Sequence, residues 1–237
     1  MKKIVLDTLE DFSHAAADIY TQQLREKPDS VLGLATGSTP LGLYAELVRR
    51  YNAGEIDFSR ARSFNLDEYY PIAGDHPQSY KYFMQEHLFS KVNFESSLLP
   101  DGEAADPQIE CAKYDAAIEA AGGIDLMLLG IGQNGHIGFN EPAPAYHMGT
   151  YLVDLTESSL TANSRFFSAG EIQPTRAFTM GIGAILKSRK ILLLISGASK
   201  VSITKKLFEG KIYTDVPACF LLVHPDVTVI MDKDACG

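Results

Sequence analysis

Along the chain, short runs of consecutive apolar residues alternate with stretches in which apolar side chains recur every three or four positions. The first pattern suits strands buried on both faces, and the second suits helices lying against them. Strands are therefore predicted at 31–36, 124–129, 190–196 and 227–231, more weakly at 61–65, with an extended segment at 151–155. Helices are predicted at 41–50, with Thr39 as N-cap and Pro40 at the first helical position, and over the aromatic-rich 79–89. The amphipathic segment 107–121 and the segments 160–167 and 200–208 complete the helical set. The alternation implies an α/β fold with a mainly parallel sheet covered on both faces. No repeat, low-complexity tract or long linker interrupts it, so one domain over residues 1–237 is expected. Residues 101–107 and 143–149 read as loops, and 143–170 reads as a lid.

Composition narrows the function classes. Apolar residues make up 46% and charged residues 22%, as in ordinary globular proteins. A net charge of −9 argues against nucleic-acid binding, which needs a basic face, but leaves room for a small anionic substrate. Cys111, Cys219 and Cys236 are scattered, odd in number and without Cys-x-x-Cys spacing, so neither a disulfide framework nor a zinc site is expected. The start of the chain turns polar too early for a secretory signal, and no apolar run reaches the ~20 residues of a membrane span. A cytoplasmic protein with no membrane partner is expected.

Four stretches carry chemistry. Gly130-Ile131-Gly132-Gln133-Asn134-Gly135-His136-Ile137-Gly138-Phe139-Asn140-Glu141-Pro142 follows the central predicted strand, where open α/β sheets bind ligands. A carboxylate near an imidazole fixes its tautomer and raises its basicity, so His136 and Glu141 suggest proton transfer. No His-x-x-x-His or similar spacing supports a metal. Thr36-Gly37-Ser38-Thr39-Pro40 joins a strand to a helix; it reads either as an ordinary turn with a hydroxyl cap or as an anion site made by a close-approaching Gly37, the Ser38 and Thr39 hydroxyls and free helix N–H groups. It lacks the Gly-Lys-Ser/Thr ending of a Walker loop. Asp67 and Glu68 end a predicted strand; neighbours on an extended chain face opposite ways, so only one would face a given cleft, and the pair reads either as a solvated acidic turn or as a general base at Asp67 or Glu68. Lys200 stands at a second strand–Gly–helix turn, where a cation is disfavoured unless an anion binds, and Arg165 offers a second cation.

In combination, Phe64-Asn65-Leu66-Asp67-Glu68-Tyr69, Gly135 to Pro142 and Asn163-Ser164-Arg165-Phe166-Phe167 resemble the glucosamine-6-phosphate deaminase (glucosamine-6-phosphate isomerase) family over nearly the whole chain. The related 6-phosphogluconolactonases share a Gly-His segment but lack the Phe139-Asn140-Glu141-Pro142 ending. Transcription regulators that use the fold carry a DNA-binding module, for which this chain has no spare segment. The resemblance implies a Rossmann-like three-layer α/β sandwich, akin to ribose-5-phosphate isomerase and the coenzyme A transferases. It implies Asp67 as the base for the C2 proton, His136 as the ring-opening residue and Glu141 as its acidic partner. Asn134 matches a site position that is Asp or Asn among members. Gly37, Ser38, Thr39, Arg165 and Lys200 match the phosphate cradle. The substrate implied is glucosamine 6-phosphate, converted with water to fructose 6-phosphate and ammonium without metal or other cofactor, in amino sugar (N-acetylglucosamine) breakdown. Larger members are hexamers activated by N-acetylglucosamine 6-phosphate. Ungapped alignment puts Tyr151 and Val153 where those have Arg and Lys, and the chain ends soon after Asp232 without their longer tail. A non-allosteric monomer is therefore expected.

Overall fold

The computed structural model describes residues 1–157, 160, 161, 167 and 173–237. Among these, the strands are β1 (Lys2–Leu6), β2 (Val31–Leu34), β3 (Arg62–Asn65), β4 (Asp67–Tyr70), β5 (Ser96–Leu98), β6 (Leu126–Gly130), β7 (Tyr151–Asp154), β8 (Arg176–Thr179), β9 (Lys190–Ile195) and β10 (Val227–Asp232). The helices are α1 (Leu9–Glu26), α2 (Leu41–Asn52), α3 (Tyr80–His87), α4 (Pro107–Ala120), α5 (Ile182–Leu186) and α6 (Val201–Leu207). Seven strands form a parallel sheet in the order β1-β10-β9-β6-β2-β3-β5. A smaller antiparallel sheet, β4-β8-β7, stands beyond the end of β3.

Strand alternation sorts the side chains into two cores. Met127, Leu129, Ile191, Leu193, Val227 and Val229 face α4, α5 and α6. Leu126, Leu128, Leu192, Leu194 and Ile230 face α1, α2 and α3. The result is the expected three-layer α/β sandwich. From β2 the chain moves one way through β3 to β5, then returns to β6 on the other side of β2 and continues through β9 to β10. The crevice between the loops after β2 and β6 is thus the switch point where such sheets receive ligands.

Several local expectations change. Thr39 is not the cap of α2. Pro40, with helical dihedrals (φ −80°, ψ −4°), holds that position, and no side chain caps the helix. The chain enters α2 through a turn in which the Leu41 N–H approaches the Ser38 carbonyl at 3.4 Å, so neither hydroxyl is spent on the helix. The helix at Pro107–Ala120 is present but imperfectly amphipathic, since Glu110 is buried while Ile109 is exposed. Residues 143–149, read as the start of a lid, are anchored in this structure. The Tyr146 hydroxyl donates to the Thr214 carbonyl (2.7 Å) and accepts from the Ala143 N–H (3.1 Å). The Thr150 N–H, just beyond, donates to Asp115 (2.9 Å). Most of the predicted helix at 160–167 lies outside the described residues. Among the described residues, no helix is long and apolar enough to cross a membrane.

Candidate active site

The four chemistry-bearing stretches leave the sheet from four adjacent strands. Gly37 to Thr39 follow β2, Asp67 follows β3, the Gly-rich segment follows β6, and Lys200 follows β9. Parallel strands about 4.8 Å apart put all four at one edge of the sheet within roughly 15 Å. The first turn depends on Gly37, whose φ of +101° is costly for any residue with a Cβ. Gly37 and Ser38 are exposed and Thr39 is half-buried, which leaves this turn open to an anion.

The acid pair, ambiguous in sequence, divides cleanly. The Glu68 carboxylate accepts the backbone N–H groups of Tyr69, Tyr80 and Lys81, each at 2.8 Å. It therefore serves the positive N-terminus of α3, beside the Ser79 cap. Asp67 is buried, and its Oδ1 has no hydrogen-bond partner. Burial, and secondarily the charge of Glu68, pushes the Asp67 carboxyl up to about 8. Burial raises Glu68 as well, to about 7, against the pull of its three backbone donors. What separates the two acids is the free Asp67 oxygen, which leaves that carboxyl able to exchange a proton with a ligand at this edge, whereas Glu68 is committed to the backbone.

In the β6 loop, Asn134 Nδ2 donates to Glu141 Oε2 at 2.6 Å, and Glu141 Oε1 lies 3.2 Å from His136 Nδ1. The second contact is close but too oblique to form a well-aligned hydrogen bond. Asn134 Oδ1 also accepts the His136 N–H (3.2 Å). One carboxylate is thus held between a carboxamide and an imidazole, with the ring partly exposed. Gly132 makes room for this arrangement, because a Cβ there would overlap the His136 ring. Asn140, equally prominent in the motif, is structural. Its amide donates to the carbonyls of Ile137 (2.9 Å) and Met180 (2.8 Å).

Lys200 Nζ donates to the Ile131 carbonyl at 2.7 Å, linking the β9 turn to the start of the imidazole loop, and burial lowers its pKa. A half-buried ammonium with two N–H bonds to spare is suited to an anion. Arg165 lies outside the described residues. Sequence reasoning overlooked the aromatic wall that joins these segments. The Tyr80 ring stacks on Phe139 (centroids 6.2 Å apart, planes 3° apart) and sits 4.7 Å from the Tyr69 ring. Its signal was the aromatic density of 79–89, which alone reads as core. Thr179 was also overlooked; it pairs with Asp67 across β4 and β8 and accepts the Phe139 N–H at 3.1 Å.

The fold and site define a class, an α/β protein with titratable groups beside an exposed strand–Gly–helix turn at the carboxyl edge of a parallel sheet. Residues 7–230 match the family described as glucosamine-6-phosphate isomerases/6-phosphogluconolactonase. A glucosamine-6-phosphate deaminase of Thermoanaerobacter pseudethanolicus is 52% identical, covering 100% of this chain and 94% of that protein. One from Clostridium perfringens is 48% identical over 99% and 98% of the two chains. Among solved structures, a monomeric glucosamine-6-phosphate deaminase superposes with a TM-score of 0.94 at 43% identity, covering 99% of this chain and 98% of that one. A 6-phosphogluconolactonase from Thermotoga maritima, at 23% identity, 98% coverage of both chains and a TM-score of 0.76, shares the fold. The chain belongs to the glucosamine-6-phosphate isomerase/6-phosphogluconolactonase family, and its high-identity relatives are the deaminases.

Proposed function

We propose that the chain converts glucosamine 6-phosphate and water to fructose 6-phosphate and ammonium. The observation that carries the reading is Asp67, a buried carboxyl with an unpartnered oxygen, on the strand end next to the anion turn and separate from the His136–Glu141 pair. Lactone hydrolysis has no C–H bond to break and no use for a base so placed, whereas aldose–ketose isomerisation does.

In this reading the phosphate rests on the Gly37–Thr39 turn with Lys200 and Arg165. His136, oriented by Glu141 and Asn134, takes the O1 proton of the cyclic sugar and delivers a proton to ring O5. Asp67 then removes the C2 proton of the open chain. C2 carries the amine, so an enolamine forms. Its protonation at C1 gives a fructose 6-phosphate imine, and water adds at C2 to expel ammonium. Holding the phosphate supplies the orientation that a flexible open-chain sugar lacks. The purified chain is expected to release ammonia and fructose 6-phosphate in equal amounts from glucosamine 6-phosphate. Acid release from 6-phosphogluconolactone without ammonia from the amino sugar would assign it to the lactonases instead.

We further propose that the chain acts in the cytoplasm, in N-acetylglucosamine breakdown, as a single-domain monomer with hyperbolic kinetics. The 43%-identical neighbour described as monomeric supports the monomeric state. The hyperbolic kinetics are supported by the Tyr151 hydroxyl, which donates to Asn140 Oδ1 (3.3 Å) and so packs an uncharged side chain against the catalytic loop where larger members have a cation. A sigmoidal rate curve made hyperbolic by N-acetylglucosamine 6-phosphate would refute it.

Gly132→Ala tests the imidazole's seat. The added methyl must displace the His136 ring, so kcat is expected to fall roughly ten- to a hundredfold with a smaller change in KM. An unchanged kcat would mean the ring position is not set by Gly132.

A further inference from the structure

The two strand–Gly–helix turns look alike in sequence but are wired differently. Behind the second one stands Asp232, the last residue of β10, which is buried. Its Oδ2 accepts the Ser196 hydroxyl (2.6 Å) and the Gly197 N–H (2.9 Å). Its Oδ1 accepts the Ala235 N–H (2.8 Å) and approaches the Gly197 N–H at 3.1 Å. The Ser196 hydroxyl and the Gly197 N–H are therefore consumed by Asp232. No side chain of α2 caps the first turn in this way. The charge that the second turn offers an anion is the Lys200 ammonium, and where that ammonium stands depends on how the turn is held. The Lys200 N–H bonds to the Gly197 carbonyl (3.0 Å), so fixing Gly197 fixes the single helical turn that ends at Lys200.

We infer that Asp232 is a positioning residue for substrate binding, locking the Ser196–Gly197 turn so that Lys200 presents its ammonium to the sugar phosphate. The inference rests on the proposed phosphate role of Lys200. A carboxylate beside an anion site should weaken binding by simple repulsion. Here its oxygens are saturated by three donors, and the geometry they enforce outweighs the charge. As a purely local cap of the turn at Lys233–Ala235, Asp232 would affect stability without affecting phosphate affinity.

The test measures KM for glucosamine 6-phosphate and the competitive inhibition constant of inorganic phosphate, with melting temperatures alongside. Asp232→Ala is expected to raise both constants about tenfold while kcat stays within about threefold, the pattern of lost uniform binding. Asp232→Asn should recover most of this, because its carboxamide still accepts a backbone N–H and can donate to Ser196 Oγ. Lys200→Ala should raise both constants at least as far. Should Asp232→Ala fail to fold, the Asp232→Asn, Ser196→Ala double variant replaces it and must raise both constants about threefold or more. Constants that rise less than about threefold, or fall, in Asp232→Ala or in the double variant that replaces it, while Lys200→Ala raises them, would overturn the positioning role and leave the Lys200 assignment intact. Constants unmoved by Lys200→Ala would overturn the phosphate reading itself.

Discussion

Asp67→Asn is expected to lower kcat for ammonia release by roughly 10³–10⁴, the upper range for loss of a general base. The variant should also stop exchange of the C2 hydrogen with solvent, while inorganic phosphate still competes with substrate at its parental concentration. The same substitution should stabilise the protein. The folded Asp67 carboxyl sits at about 8 because burial disfavours its charge, whereas an unfolded Asp titrates near about 3.9. Between these values the native state holds a proton that the unfolded state has released. This contribution to stability is complete below about pH 4 and is lost as pH rises through 8. Asn cannot ionise, so it avoids that loss. At pH 8 the variant should be more stable by on the order of 2–4 kcal/mol, a melting temperature higher by several degrees, with the gap closing toward pH 4. The parent's kcat/KM should fall with its acid limb near pH 8. Its kcat limb should lie lower, because the bound substrate's ammonium favours the carboxylate. Near-parental turnover in Asp67→Asn would transfer the base role elsewhere, and an unchanged melting curve at pH 8 would mean the carboxyl is not buried as described.

That pairing of lost activity and gained stability reflects what was and was not legible in the sequence. The ends of β2, β6 and β9 were legible because largely apolar runs stop at Gly or Ser followed by chemically active residues, whereas β3, Arg-Ser-Phe-Asn, gave only a weak signal. The choice between Asp67 and Glu68 was not. It is decided by the N–H groups of Tyr80 and Lys81, which reach Glu68 from the start of α3. The 18-residue α1 was also overlooked. Its buried face uses Phe12, Ala16, Tyr20 and Leu24, correctly spaced, but small or polar-tipped members give it a weak apolar signal. The Thr8 side chain accepting the Asp11 N–H was the better clue. Strand β4 reads Asp-Glu-Tyr-Tyr and has no apolar alternation; pairing with β8 makes it a strand. The Thr39 cap was inferred from residue preference, and Pro40 overrode it by already holding helical dihedrals. Local chemistry was readable where glycine and proline punctuate the chain, and was lost where partners come from distant segments.

His136→Gln is the second large effect, and it should differ in kind from the first. The imidazole is placed by Gly132 and by the Asn134–Glu141 pair, on a different strand end from Asp67. Removing it withdraws the proton relay between O1 and O5 while leaving the C2 base in place. For the cyclic substrate kcat/KM is expected to fall on the order of 10²–10³. Because a pyranose still opens slowly in water, a residual rate should persist and depend on Asp67. The diagnostic readout is substrate deuterated at C2. With ring opening made rate-limiting, the isotope effect on kcat should collapse toward unity in His136→Gln. Glu141→Gln should shift the same way with a smaller rate loss, since it removes the countercharge for the transient imidazolium but keeps the ring. An undiminished C2 isotope effect alongside a large rate loss would place His136 in the isomerisation step with Asp67. The two halves of the site would then share one proton transfer, and the division of labour between the β3 and β6 strand ends would be wrong.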